Sequence, residues 1–195
     1  RAVKTSLNTP IIDKTFVTSD SFPILNVAKK SLSEIIKRPK VLSKKNSSSE
    51  SAIFHALKII KQKYKILPQY VCFLQCTSPF IFPKDILGAY NKLIKSTYSS
   101  IFSVTKNHNN LWNVNNTKVV PINHNPKKRL MRQKYIRQVN ENGAFYIFNT
   151  KKFIKHKSRF CNNCTFYETS FFTNIEIDDI IDLKIANFVS KKFKL

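Results

Sequence analysis

Glycine and acidic residues are scarce in this sequence. Only 2 of its 195 residues are Gly, and 11 Asp or Glu stand against 34 Lys or Arg, for a net charge of +23. No stretch approaches the ~20 apolar residues of a transmembrane helix, and no signal-peptide pattern opens the chain. A hydrophobic fraction of 42% with 16 Phe is too high for a disordered chain. We therefore expect one folded domain over 1–195, with no membrane partner.

The excess positive charge points to polyanions, but its distribution argues against a specific nucleic-acid surface. Only 6 of the 34 basic residues are Arg, and the lysines are spread along the whole chain. Surfaces that recognise phosphates usually concentrate Arg. We expect salt-sensitive adhesion to polyanions in general and no specific nucleic-acid partner.

The four cysteines form two pairs, Cys72 with Cys76 and Cys161 with Cys164. The second pair has the spacing of zinc ligands, so a four-cysteine zinc site is one alternative. Against it, Cys72 lies inside an apolar run, and a strand does not easily present it together with Cys76 in a loop. Free thiols in a reducing compartment are the favoured interpretation.

Apolar segments alternate between strand and helix patterns along the chain. Strands are predicted at 13–18, 35–36, 71–74, 100–104, 145–148 and 166–168, and helices at 2–8, 22–30, 52–60, 83–95 and 180–192. Ser47 or Ser48 would cap the helix that follows it. This rhythm predicts an α/β fold with a mostly parallel, Rossmann-like sheet covered by helices on both faces. Between the predicted strands at 100–104 and 145–148, the segment Lys106–Arg137 is polar and has no apolar period, which predicts an arm or lid.

The segment Tyr70–Phe80 combines an apolar run with an abrupt polar end. Ligands bind beyond the carboxyl ends of parallel strands, where Gln75, Thr77 and Ser78 would offer an amide and two hydroxyls. The alternative is a strand followed by an ordinary Ser-Pro turn.

Four of the 11 acidic residues lie within seven positions, at Glu176, Asp178, Asp179 and Asp182. On an extended strand Glu176 and Asp178 point to one face, and such a pair suits Mg²⁺, which takes few protein ligands. The alternative is that Asp178 and Asp179 only open the last helix, where negative charge is favourable. The sequence pattern leaves both open.

A basic segment, Lys127–Gln133, is followed by Asn142-Gly143. Half of all the arginines lie between Arg129 and Arg137. Because Arg binds phosphates and carboxylates through two parallel hydrogen bonds, an anionic ligand is plausible here. A solvated basic loop is the alternative.

Several short motifs, taken in order, match one enzyme family. They are Ser19-Asp20-Ser21, Arg38-Pro39, Ser47-Ser48-Ser49, Leu74-Gln75-Cys76-Thr77-Ser78-Pro79, Ser100-Ile101-Phe102-Ser103-Val104, Arg132-Gln133, Glu141-Asn142-Gly143-Ala144-Phe145-Tyr146 and Ile175-Glu176-Ile177-Asp178. On these residues the chain resembles the acylneuraminate cytidylyltransferases (CMP-sialic acid synthetases) from Ala2 to Val189. The resemblance extends to their bacterial relatives for legionaminic and pseudaminic acids.

The resemblance implies a nucleotidyltransferase in which a nine-carbon keto acid attacks the α-phosphate of CTP. The products would be a CMP-sugar and pyrophosphate, with Mg²⁺ as the cofactor. Such a reaction depends on positioning and charge stabilisation more than on covalent chemistry. The resemblance also implies that the arm, 106–137, forms a homodimer or a dimer of dimers.

Site residues follow from the same resemblance. The catalytic residues would be Gln75, Arg132 and Gln133. CTP would be bound by Arg38, Ser48 and Ser49. The sugar would be bound by Gln75, Thr77, Ser78, Arg132, Gln133, Asn142 and Gly143. The metal would be held by Glu176 and Asp178.

Departures from the family pattern are concentrated around the phosphates and the metal. The family's Gly-rich phosphate loop lies on a first strand upstream of the helix at which this chain begins, so we expect the chain to lack that strand and loop. Its absence would leave unpaired sheet edges. Glu176 replaces the usual Asp, Lys134 replaces an Asp beside the sugar site, and Cys76 replaces a Pro.

Two alternatives to an active synthetase remain. One is a catalytically inactive relative that serves as a binding or assembly subunit, and the other is a general polyanion-binding protein. Within the family, the branch most easily mistaken for this one is that of the Kdo-specific synthetases, although Glu141-Asn142-Gly143 favours the sialic type. We expect a cytoplasmic protein, or a nuclear one in an animal, where Lys127-Lys128-Arg129 would serve as a signal.

Overall fold

The computed structural model describes residues 1–128, 130–131 and 138–195. The helices are α1 (Ala2–Leu7), α2 (Phe22–Lys30), α3 (Ser49–Tyr64), α4 (Pro83–Ile94), α5 (Thr150–His156) and α6 (Ile180–Phe193). The strands are β1 (Phe16–Ser19), β2 (Glu34–Lys37), β3 (Tyr70–Leu74), β4 (Ser100–Asn107), β5 (Trp112–Asn115), β6 (Lys118–Pro121), β7 (Gln138–Asn149) and β8 (Cys164–Glu168). Within the described ranges, no helix has the length and apolar character needed to cross a membrane.

The main sheet has the strand order β3-β7-β4-β8. β7 runs antiparallel to both β3 and β4, whereas β4 and β8 are parallel. The prediction of a mostly parallel sheet is therefore wrong, because this sheet is mixed. The reason lies in the connection from β4 to β7, whose described residues contain no helix. Without a crossover helix the chain returns in the antiparallel direction, between β3 and β4.

Helices cover both faces of the main sheet. Phe145 and Ile147 pack against α4, while Tyr146 and Phe148, which alternate with them on β7, pack with residues of α3 and α5. Phe145 and Phe148 are completely buried, as is Phe153 of α5. The two apolar layers explain why the long run in β7 alternates so little between apolar and polar residues.

A second, smaller sheet precedes the main one in the chain. β1 and β2 pair in parallel, with Phe16 opposite Glu34 and Ser19 opposite Lys37, and α2 connects them. Ser48 caps α3 by accepting a hydrogen bond from the amide of Ser51 at 3.2 Å, in agreement with the sequence prediction.

The predicted arm contains a two-stranded antiparallel hairpin, β5 with β6. Val114, Val119 and Val120 are exposed on it, and the ring of Trp112 contacts that of His124 with centroids 4.8 Å apart. The sequence did not predict this hairpin, because the segment is polar and each strand has only four residues.

All four cysteines are free thiols. Cys161 is buried and Cys72 is half-buried, whereas Cys76 and Cys164 are exposed. Burial raises the pKa of the Cys72 thiol to about 12, which makes it a poor nucleophile at neutral pH.

Candidate active site

A cavity of about 780 Å³ lies between the two sheets. Arg38, which follows β2, and Ser49, which begins α3, line it together with Gln75 and Thr77, which follow β3. Residues that sequence reasoning assigned separately to CTP and to the sugar therefore meet around one space. The rest of the lining is mainly apolar, including Ile53 and Leu57.

Gln75, Gly143 and Glu176 converge more closely than any sequence spacing could show. A Cβ atom added to Gly143 would lie 2.6 Å from Glu176 Oε1 and 2.8 Å from Gln75 Oε1. Gly143 has a φ of +67°, a conformation that side chains other than glycine rarely adopt. Only glycine therefore allows the two side-chain oxygens to approach the β7 backbone here.

Backbone hydrogen bonds hold the convergence in place. The amide of Gln75 donates to the carbonyl of Ala144 at 3.2 Å, and the amide of Ile177 donates to the carbonyl of Thr77 at 2.8 Å. The polar end of β3 is thus fixed between the start of the β7 core and the Glu176–Asp178 segment.

The acidic cluster divides into two pairs with different roles. Asp179 caps α6, accepting from the amides of Ile181 and Asp182 at 2.7 and 3.0 Å, and Asp182 completes a capping box. The backbone amide of Asp178 donates to Asp182 Oδ2 at 3.0 Å, but the carboxylates of Glu176 and Asp178 take no part in this cap. Partial burial, followed by the charge of Asp178, raises the pKa of Glu176. The interpretation that the acids open the last helix therefore holds for Asp179, whereas the metal pair of Glu176 and Asp178 stays a prediction.

Glu176 and Asp178 suit a divalent cation. Within the described part of the chain, no group of three or more His, Cys, Asp or Glu could hold a metal. Mg²⁺ needs no such group, since it keeps water and substrate phosphates as ligands. The like-charge repulsion that raises the pKa of Glu176 is what a cation would relieve, and Gln75 supplies a third oxygen nearby.

Asn142 lies inside the protein, with 4% of its surface exposed. Its Oδ1 accepts from Ser103 Oγ at 2.6 Å, and its Nδ2 donates to Thr169 Oγ1 at 2.9 Å. The pairing of β4 with β7 shifts register just here, between Phe102 and Val104. Asn142 thus holds the irregular backbone that presents Gly143, a role that its sequence neighbours could not reveal.

The remaining predicted residues have varied positions. The Ser48 hydroxyl is used as a helix cap, and Arg38 Nε donates to Ser43 Oγ at 2.9 Å. Ser78 is buried, and its hydroxyl lacks a hydrogen-bond partner among the described residues. Arg132 and Gln133 lie outside the described residues.

Two strand edges border the cavity. All five residues of β3 line it, as do Phe16, Val17 and Thr18 of β1. Successive side chains point to opposite faces of a strand, so a space that contacts every residue runs along the strand's edge. β3 is the last strand of its sheet, and β1 pairs only with β2 among the described strands. We call the part of the cavity between these two edges the strand slot.

Sequence reasoning missed four polar residues near the site, Glu50, Glu141, Tyr146 and Arg159, which contact one another in a series. Glu141 and Tyr146 belong to a family motif but had no assigned role, and the signal for Arg159 was its residue type, since Arg is rare in a chain whose positive charge is mostly Lys.

Comparisons with known proteins converge on one family. The model of the family described as "Cytidylyltransferase" matches residues 1–193. N-acylneuraminate cytidylyltransferase A of Danio rerio is 28% identical over 188 residues, which are 94% of this chain and 42% of that protein. A pseudaminic acid cytidylyltransferase of Campylobacter jejuni is 26% identical over 195 residues, 97% of this chain and 83% of that protein. The chain thus spans about two fifths of the length of its fish relative.

Solved structures share the fold. A 4-diphosphocytidyl-2C-methyl-D-erythritol synthase from Anaerococcus prevotii superposes with a TM-score of 0.67 at 16% identity, covering 97% of this chain and 84% of that one. A CMP:2-keto-3-deoxy-manno-octonic acid synthetase complexed with CTP also gives 0.67, at 13% identity, covering 97% and 86%.

Proposed function

The chain belongs to the cytidylyltransferase family, and from that premise we propose that it transfers CMP from CTP to a sialic-type nonulosonic acid. The observation that carries this proposal is the convergence of Gln75, Gly143 and Glu176 beside the cavity that Arg38 and Ser49 line. The acceptor class is supported by relatives named for N-acylneuraminate and for pseudaminic acid.

Each half of the site would bind one reactant. Arg38 and the start of α3, with Ser48 and Ser49, would hold CTP, because a guanidinium and helix amides favour anions. Gln75, Thr77 and Ser78, with the backbone at Asn142 and Gly143, would orient the keto acid. Arg132 and Gln133 belong to the same proposal through the family motif, as catalytic and sugar-binding residues.

Mg²⁺ would be held by Glu176 and Asp178. Bound there, the cation would offset negative charge on the phosphates during attack by the anomeric hydroxyl on the α-phosphate. The protein's own part is to hold the hydroxyl and the phosphate within reach of each other, which lowers the entropic barrier.

The strand slot suggests where the first strand and the Gly-rich phosphate loop of the family would lie. We propose that one further strand, from outside the 195 residues, pairs with β1 and β3 and joins the two sheets into one. The Thr18 hydroxyl, buried and without a partner among the described residues, lies on this border. A loop at the end of such a strand would lie between Arg38 and Gln75, where the triphosphate is expected. The single catalytic domain would then be complete.

Assembly through the arm is part of the proposal. The hairpin of β5 and β6 exposes Trp112, Val114 and Val120 to solvent, and exposed apolar side chains on a protruding element favour contact with another subunit. A homodimer or a dimer of dimers would cover them.

Calorimetric titration with CTP, ATP, GTP and UTP, with and without Mg²⁺, tests the nucleotide half. We expect a preference for CTP, and we expect Arg38→Ala to weaken CTP binding about tenfold through loss of a charge-assisted hydrogen bond. Lys63→Gln, which removes an exposed charge from the surface pair with Glu34, serves as the control and should change little. Equal, salt-sensitive binding of all four nucleotides and of DNA would instead indicate a general polyanion binder.

The second candidate is an inactive relative that acts as a binding subunit. Glu at position 176, one methylene longer than the usual Asp, favours it. It predicts CTP binding without pyrophosphate release under any condition.

A further inference from the structure

Arg159 joins the loop between α5 and β8 to the first turn of α3. Its Nε donates to Glu50 Oε1 at 2.7 Å. Glu50 lies two residues beyond Ser48, the N-cap, and one beyond Ser49, which lines the cavity. The ion pair therefore anchors the part of α3 to which CTP binding is assigned.

The other contacts of Arg159 lead to the sugar side of the site. Its guanidinium lies over the ring of Tyr146, 4.6 Å from the centroid, and 5.2 Å from that of Phe73. The hydroxyl of Tyr146 donates to the Glu141 carboxylate. Burial, then the hydrogen bond and charge of Glu141, raises the pKa of Tyr146, so the hydroxyl keeps its proton. Glu141 directly precedes Asn142 and Gly143.

The cation of this series is more buried than the lysines of the surface ion pairs, whereas the carboxylates of all these pairs are similarly exposed. The Arg159 side chain is 13% exposed and that of Glu50 is 25% exposed. In the pairs Lys14–Glu34, Lys63–Glu34 and Lys106–Glu168 the lysines are 53% to 61% exposed. Exposed pairs contribute little, whereas removing one partner of a desolvated pair leaves the other charge uncompensated.

We propose that Arg159 is a positioning residue that couples the CTP side of the site to the sugar side. Through Glu50 it fixes the start of α3, and through Tyr146 and Glu141 it fixes the backbone that presents Gly143. A planar guanidinium can make both contacts at once, by hydrogen bonding at its edge and stacking on its face. The coupling deepens the proposed function and rests on it for its chemical meaning.

Hydrogen exchange of the complete chain tests the structural link without any activity. In Arg159→Gln we expect amides at 50–53 and at 141–145 both to exchange about tenfold faster, the scale of one lost charge-assisted hydrogen bond. Arg159→Lys, which keeps charge but cannot stack and pair in the same way, should restore protection only in part. Lys63→Gln should leave both segments unchanged. Faster exchange in only one segment would overturn the coupling.

Steady-state kinetics separate a positioning role from a merely structural one. We expect Arg159→Gln to raise the KM for CTP and the KM for the sugar acid together, each about fivefold or more. A purely structural role would lower the amount of active protein, and hence the apparent kcat, while leaving both KM values unchanged. That result would contradict the proposal. If neither this chain nor the longer form with a strand-bearing segment releases pyrophosphate, the proposed function fails, and the exchange data still decide whether Arg159 links the two segments.

Discussion

The side-chain oxygen of Gln75 lies so near the backbone of Gly143 that an added Cβ atom would be 2.8 Å from it. Real Cβ atoms are essentially never found so close to an oxygen. Gly143 therefore serves the site by having no side chain, which explains one of only two glycines in the chain.

Gly143→Ala should disable the site as well as destabilise the fold. The positive φ alone costs about 1–3 kcal/mol for a residue with a side chain, and Gln75 and Glu176 must also move. Gly88 offers a matched control, because a Cβ there would collide with the Tyr167 hydroxyl at a place away from Gln75 and Glu176. We expect both alanine variants to melt earlier, but only Gly143→Ala to lose CTP-dependent activity in proportion to folded protein. Equal activity per folded molecule would show that the crowding at Gly143 has no role in the site.

The carboxyl of Glu176 should show its environment in a pH titration. Partial burial and the Asp178 charge raise its pKa above the ordinary value. A group with a raised pKa adds stability that is fully present below the unfolded-state pKa and is lost as pH rises through the folded-state pKa. At neutral pH the ionised Glu176 therefore lowers the stability of the folded protein unless a cation offsets its charge.

Asp178→Asn should remove the charge repulsion on Glu176 and, with it, the stabilisation of the protein by Mg²⁺. We expect it to lower the pKa of Glu176, followed by NMR, and to raise the melting temperature slightly at pH 7 in EDTA. We also expect Mg²⁺ to stabilise the wild type but not the variant. An unchanged Glu176 titration would show that the two carboxylates do not interact.

Substitution of the neighbouring Asp179 should have the opposite effects on stability and on the response to Mg²⁺. Because its carboxylate caps α6, Asp179→Ala should lower the free energy of unfolding by about 1 kcal/mol. It should leave Mg²⁺ stabilisation and the affinity for CTP as they are. Chemical denaturation with and without Mg²⁺ measures both effects. A loss of the Mg²⁺ response would place Asp179 in the cation site as well.

Filling the strand slot should change hydrogen exchange along one edge of β3. Alternate amides of Tyr70–Leu74 pair with β7, and the others face the slot. The slot-facing amides should exchange fast in this chain and become protected when a strand-bearing segment is joined ahead of Arg1. Amides of β4, which has neighbours on both sides, are the control and should not change. Continued fast exchange in the longer protein would mean that the slot does not hold a strand.

Local sequence patterns predicted most of the helices and strands, but not α5 or the β5–β6 hairpin, and not how the strands are arranged. Apolar period and end signals lie within a few residues, and they located α3, α4, β3 and the core of β7. Strand direction depends on the connection instead. The stretch between β4 and β7 showed no period, so nothing in it revealed that β7 would return antiparallel and make the sheet mixed.

The site was predicted in its parts and not in its geometry. The sequence predicts Gln75, Gly143 and Glu176 as site residues. Their convergence, however, depends on the pairing of β3 with β7 and on the hydrogen bond from the Ile177 amide to the Thr77 carbonyl. The family resemblance groups Asn142 with the sugar contacts. Its burial against Ser103, which fixes its side chain inside the protein, depends on a partner 39 residues away.

Pyrophosphate release with CTP, Mg²⁺ and a panel of sialic-type acids tests the account most directly. It should be measured on this chain and on a form with a strand-bearing segment ahead of Arg1, each with Gly143→Ala as the inactive control. We expect release that requires both CTP and a nonulosonic acid, at the latest in the longer form. No release from either form, while CTP still binds, would contradict the synthetase account and support a binding subunit in its place.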